Sequence, residues 1–299
     1  MNNGNIYAAT RETVEQIKAL SRWDSAAVAE VMAVNARIPS ATSGRDSGGT
    51  IAVIPIAGFI EQRPSFFGAM FGGTSIASLT ASFRSAMNDP QVKGIVFDVS
   101  SGGGSVFGVT ELANEIRAAR GVKPIVSVVN SIAASAAYWL ASAADEVVST
   151  PSGIAGSIGV YALHVDYSKA NEQAGVKEEI ISAGEHKADA VDGAPLSDAG
   201  RQSMQAMVDH IYGTFVGDVA AGRGVSVATV LADFGKGLTF TAPAAQTAGL
   251  VDRVATLDDT LKRLSTPQGR AAVMRAEYVE PVTDDGEAER RLRRARVTI

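Results

Sequence analysis

Ile95–Val109, IVFDVSSGGGSVFGV, and Pro124–Ala144, PIVSVVNSIAASAAYWLASAA, decide the fold. Ile95–Val99 and Ile125–Val129 are short apolar runs rich in β-branched residues, so they predict buried parallel strands. Each ends in small residues and runs into a helical pattern. The class is therefore α/β. Gly102, Gly103 and Gly104 fall at the carboxyl end of one strand and Ser135 at that of its neighbour, where open α/β sheets keep their sites.

Ser135 sits in Ala133-Ala134-Ser135-Ala136-Ala137, at the start of a helix. The first N–H groups of a helix have no partner within it, and such donors can face an oxyanion. The triple glycine lets an extended chain approach closely and offers further N–H groups. The same residues also read as a small serine in an alanine-packed helix and as a tight strand-to-helix turn.

The run Val99-Ser100-Ser101-Gly102-Gly103-Gly104-Ser105-Val106, followed by Ala133-Ala134-Ser135-Ala136-Ala137-Tyr138, resembles the signal-peptide-peptidase family of serine proteases, S49. Within that family it is most similar to the head-maturation proteases of phages and prophages. The likeness covers roughly Thr50 to Leu264. It implies a ClpP/crotonase-like spiral of repeated ββα units. The chain then divides into a helical arm and linker (1–48), a protease domain (49–264) and a charged tail (265–299). It further implies a Ser-Lys dyad, with Ser135 as nucleophile and Lys187 as general base, and an oxyanion hole from Gly103, Gly104 and Ala136. No metal or cofactor is implied. Two residues depart from the pattern. Gly102 stands where a proline commonly precedes the glycines, and Ala136 where cellular members usually have glycine. The first loosens the turn; the second narrows the space over the nucleophile without removing its N–H. The resemblance also implies a homo-oligomeric ring in which serine and lysine come from adjacent subunits. The implied substrate is a capsid scaffold or portal-type protein, met in the host cytoplasm or inside the prohead.

Composition excludes several classes. There is no cysteine, so neither a disulfide nor a thiolate metal site is available. His164, His186 and His210 match no zinc spacing. A net charge of −5 argues against nucleic-acid binding by the whole chain. No apolar run approaches the ~20 residues that span a bilayer. The start, Met1-Asn2-Asn3-Gly4, lacks the charged-then-apolar order of a signal peptide, which favours the phage-type reading over a membrane-anchored protease. Gly102–Gly108 fits neither the dinucleotide nor the Walker phosphate pattern.

Along the chain, Thr10 to about Ala36 shows helical spacing and Pro39–Gly48 reads as a linker. Thr50–Ile60 is a strand that Pro55 confines to an edge or a bulge. Phe66, Phe67, Met70 and Phe71 form an apolar loop, either a contact surface or packed on its own core. A helix is expected near Ser78–Asn88, and the next helix has Val109, Leu112, Ile116 and Ala119 inward. Glu146–Ser149 and Glu178–Ser182 are predicted strands, Ser168–Ala174 a helix stopped by Gly175, and Ile154–Val160 a small-residue wall beside a substrate channel.

Lys187 lies in the polar loop Ala183–Asp189, where an exposed lysine is the ordinary case; His186 is the rival base. Pro195–Ala221 predicts a long helix with Met204, Met207, Val208, Ile211 and Phe215 on one side. Asp209 and His210 face different ways on it and make a poor triad. Phe240–Asp252, FTAPAAQTAGLVD, is similar to the closing unit of the S49 family and on that resemblance would form the far wall of the site. The segment from Ser265, ending in an arginine-rich run, reads as a mobile tail or a late helix. Three other functions fit the fold: a cellular soluble signal-peptide-peptidase-like protease degrading peptides, an acyl-CoA or caseinolytic-type enzyme on the same spiral, and a non-catalytic shell or scaffold protein.

Overall fold

The computed structural model describes residues 6–9, 44–46, 49–64 and 72–274. The Thr10–Ala36 helix, the Phe66–Phe71 loop and the arginine-rich end lie outside the described residues.

In chain order the elements are strands β1 (Ile6–Ala9), β2 (Gly44–Asp46), β3 (Gly49–Glu61) and β4 (Thr74–Ser75), helix α1 (Ile76–Asn88), β5 (Val92–Ser105), α2 (Val109–Ala118), β6 (Ile125–Ala134) and α3 (Ala136–Ala141). There follow β7 (Glu146–Ser149), β8 (Ile154–Gly156), β9 (Tyr161–Ala162), α4 (Ser168–Gln173), α5 (Asp198–Arg223) and α6 (Val227–Asp233). The 3-10 turn Gly235–Gly237, β10 (Thr239–Thr241), α7 (Ala242–Ala248), β11 (Arg253–Val254), α8 (Leu257–Ser265) and α9 (Pro267–Met274) complete the described chain.

The two expected core strands are there. β5 pairs in parallel with β3 on one edge and with β6 on the other, and β6 pairs in parallel with β7. Ile95, Val96, Phe97 and Val99 are buried, as are Ile125, Val126, Val128 and Val129, which is why neither strand shows alternation. Helices cover both faces, and single helices alternate with the strands from β4 to β7. Pro55 falls where β3 has β5 on one side only, since β2 meets β3 at Gly49–Ile51 and β4 at Ile60–Glu61. Among the described residues this leaves Pro55 on an open edge, the place where a strand tolerates proline.

Three sequence expectations change. Part of the expected linker, Gly44–Asp46, is the strand β2, paired antiparallel with β3. Glu178–Ser182 forms no strand: among the described residues it has no neighbouring strand, and both Ile180 and Ile181 are exposed, the latter at 93%. A strand needs a ladder partner, and β-branched residues alone do not supply one. In α5 the apolar stripe reaches the core at Ile211, half-buried against it, and is fully buried from Phe215, joined by Val216 and Val219. Met207 is exposed, while Met204 and Val208 line a groove against β9. Beyond Ser265, Pro267–Met274 is a helix whose Val273 is buried against Leu264 and the outer face of the sheet.

Candidate active site

Ser135 occupies the single residue between β6 and α3, with φ 56° and ψ −123°. A non-glycine residue there is strained, at a cost of about 1–3 kcal/mol, and persists only where its surroundings over-determine it. The surroundings do so. All six residues of α3 are buried. Trp139 stacks on Phe215 with ring centroids 4.3 Å apart, and its Nε1 donates to Asp218 Oδ2 at 2.9 Å. Thr110 Oγ1 donates to the same carboxylate oxygen at 2.5 Å, so Asp218 ties α2, α3 and α5 together. Tyr138 Oη donates to Leu250 O at 2.8 Å, and complete burial pushes its phenol well above the ordinary range. The Arg120 guanidinium collects the carbonyls of Ser142, Ala143, Ala144 and Gly222, closing the carboxyl ends of α3 and α5. A Cβ on Gly222 would stand 2.4 Å from Ser142 O, so glycine is what lets α5 approach α3.

From below, Ser135 N donates to Gly156 O at 2.8 Å, which fastens the elbow to β8. Gly156, at φ 123°, is itself gripped by β10: a Cβ there would meet Leu238 O at 2.8 Å. Ser135 Oγ donates to Gly159 O at 3.3 Å, and the residue is 0% exposed. The first intrahelical bond of α3 runs from Trp139 N to Ser135 O, so the helix leaves the Ala136 N–H without a partner of its own.

The expected oxyanion glycines lie on the adjacent strand. Ser101 of β5 pairs with Ala133 of β6, so the register carries Gly103 level with Ser135. Gly103 has φ 97°, and its N–H donates to Ser101 Oγ at 3.1 Å; that hydroxyl in turn donates to Gly58 O at 2.6 Å. Gly104 has a packing reason to be glycine, because a Cβ would lie 2.0 Å from Ile60 O of β3.

The candidate bases are not gathered with these groups. Lys187 is exposed in a run of turns, and its N–H donates to Gly184 O at 3.1 Å. The His186 side chain is 72% exposed and paired through Nδ1 with Asp189 at 2.8 Å. His164 is held by Ala194 O and His210 lies exposed on α5. Among the described residues no amine or imidazole hydrogen-bonds Ser135 Oγ, and no cluster of His, Cys, Asp or Glu could hold a metal. One lysine escaped the sequence reading. Lys236 takes a left-handed backbone (φ 49°) in the turn whose Gly237 Cα lies 3.6 Å from where a Cβ on Gly159 would stand. Its only sequence signal was the flanking glycines.

A serine held in a strained turn between a buried parallel strand and a buried helix, beside a glycine-rich strand end, defines a class of α/β site, the serine at a sharp strand-to-helix turn. The family model described as Peptidase family S49 matches residues 117–270, and the chain belongs to that family. It is 33% identical to the capsid assembly protease C of Escherichia phage lambda over 71% of this chain and 48% of that protein. It is 33% identical to the head-tail preconnector protein GP5 of Enterobacteria phage P21 over 72% of this chain and 43% of that protein. Protease 4 of Salmonella typhi is 32% identical over 73% of this chain and 34% of its own length. The chain thus spans about half or less of these curated relatives. No single helix among the described residues is long and apolar enough to cross a membrane.

Proposed function

We propose that the protein is a serine endopeptidase of phage head assembly, with Ser135 as nucleophile, Lys187 as general base and scaffold or portal-type capsid proteins as substrates. The strained, fully supported Ser135 elbow in a chain of peptidase family S49 carries this reading. The two phage relatives, one a capsid assembly protease and one a head-tail preconnector, point to the assembling head as the setting.

In the mechanism, Ser135 Oγ leaves Gly159 O and attacks the scissile carbonyl while the base takes its proton. The N–H groups of Ala136 and of Gly103 or Gly104 receive the oxyanion, the glycine donor at Gly103 exchanging Ser101 Oγ for it. Losing one such donor typically costs about 3–4 kcal/mol in the transition state. The protonated base then gives its proton to the leaving amine, and water hydrolyses the acyl-enzyme. A lysine can act as base only when neutral, which near pH 7 requires burial or cationic neighbours to offset an ordinary pKa of ~10.4. Lys187 is exposed in the single chain, so the dyad requires a second copy to close over the loop. A ring satisfies that requirement.

The test is cleavage of co-expressed capsid proteins, read by mass spectrometry of new termini. Ser135→Ala and Lys187→Ala should each abolish cleavage with the fold intact, while His186→Ala and Lys236→Ala should retain it. Wild-type cleavage by Lys187→Ala overturns the base assignment, and loss in Lys236→Ala alone transfers the role. Failure of a fluorophosphonate to label Ser135 in the oligomer leaves a non-catalytic shell protein on the same fold.

A further inference from the structure

Strand β1 lies in an unusual place. It pairs antiparallel with β5 at Tyr7↔Ser105, Ala8↔Gly104 and Ala9↔Gly103, and antiparallel with β9 at Ile6↔Ala162 and Tyr7↔Tyr161. A strand has two edges, and β3 already holds one edge of β5 at Gly103 and Gly104 through Phe59 and Ile60. β1 therefore takes the other edge, the one that β6 occupies as far as Ser101↔Ala133 before it turns off into Ser135. It fills the slot that the nucleophile elbow opens between β5 and β9.

The direction carries the inference. Since β1 runs antiparallel to β5, its chain heads from Ser105 towards Gly103, so Ala9 arrives level with Ser135. A peptide held this way presents its residues before the cut to the glycine strand and its carbonyl to the hydroxyl, with affinity coming from backbone pairing on both sides. Ser135 is 0% exposed, so an incoming peptide needs the site to open before it can be attacked. We infer that Ile6–Ala9 is a built-in occupant of the substrate slot, an internal peptide that blocks the acyl side of the site until it is displaced. This deepens the protease reading and rests on it: the occupant's own sequence, Ile6-Tyr7-Ala8-Ala9, makes an extended peptide with small residues beside the cut the class of substrate that replaces it.

A proline tests this in the full chain. β1 pairs with β9 through Tyr7 and with β5 through Ala9, so a proline at Ala8, opposite Gly104, crowds the adjacent backbone and disrupts the ladder. Ala8→Pro should raise the rate at which a fluorophosphonate labels Ser135 by tenfold or more, while Ala8→Ser leaves it unchanged. On the Ser135→Ala background, a fluorescent Asn-Ile-Tyr-Ala-Ala peptide should bind the Ala8→Pro chain at least tenfold more tightly than the parent, measured by anisotropy. Unchanged melting temperatures across the set show that only β1 has moved. Equal labelling and equal peptide affinity in Ala8→Pro and its parent overturn the inference. The anisotropy arm needs no catalysis, so a dead nucleophile would sink the protease reading while the gain in peptide affinity still identified the slot.

Discussion

Helix α3 buries every residue from Ala136 to Ala141, whereas every residue from Glu172 to Lys187 is exposed. These two regions carry the proposed nucleophile and the proposed base. The first is held by ring stacking, a shared carboxylate and an arginine that collects four carbonyls. The second is held by turns of the chain upon itself. The contrast teaches where each half of a dyad gets its precision. Strain at Ser135 persists because a core enforces it, while the exposed Lys187 loop has no such support among the described residues.

The comparison breaks hardest at Trp139. Trp139→Ala deletes the stack on Phe215 and the bond to Asp218, and should cost about 3–5 kcal/mol in denaturant unfolding. It should also slow probe labelling of Ser135, because the elbow relaxes. Gly104→Ala comes next: its Cβ would press on Ile60 O and force β3 from β5, for roughly 1–3 kcal/mol of stability. A smaller effect belongs to Asp98, whose carboxyl is raised by burial and only partly relieved by Asn130. A raised pKa means that the folded chain holds the proton more tightly than the unfolded one. Its favourable share of stability is complete below the ordinary value of ~3.9 and is lost as pH rises through the folded value. Asp98→Asn should therefore show a stability advantage that is absent at acid pH and grows towards neutrality in pH-resolved unfolding curves. The smallest effect is expected on the other side of the comparison. Ile181→Ser, at a 93% exposed position, should change the stability of the isolated chain by less than about 0.5 kcal/mol. The same change should weaken assembly, read by analytical ultracentrifugation, if copies meet on this face.

Much of the elbow was legible in the residues. β-Branched runs without alternation marked strands buried on both faces, and the switch to Ala-Ala-Ser-Ala-Ala marked the turn into a helix. A helix end was legible too: Gly175 adopts a positive φ where it stops α4. Illegible were features that depend on partners remote in the chain. Glu178–Ser182 has strand-forming isoleucines but, among the described residues, no edge to pair with. Met204 and Met207 have helical spacing on a half of α5 that no core covers among the described residues. Lys236 gains interest only because β10 brings its turn against Gly159.

By itself, then, the chain's local chemistry determined the parallel core, the position of Ser135 between strand and helix, and the glycines beside it. Backbone propensity and burial are properties of short stretches, and short stretches suffice to read them. Tertiary structure alone decided the strain at Ser135, the bond from Ser101 Oγ to Gly58 O, and the pairing of Ile6–Ala9 with β5 and β9. Those depend on which backbone edges remain unpaired after the sheet has formed, and that is settled between strands about a hundred residues apart.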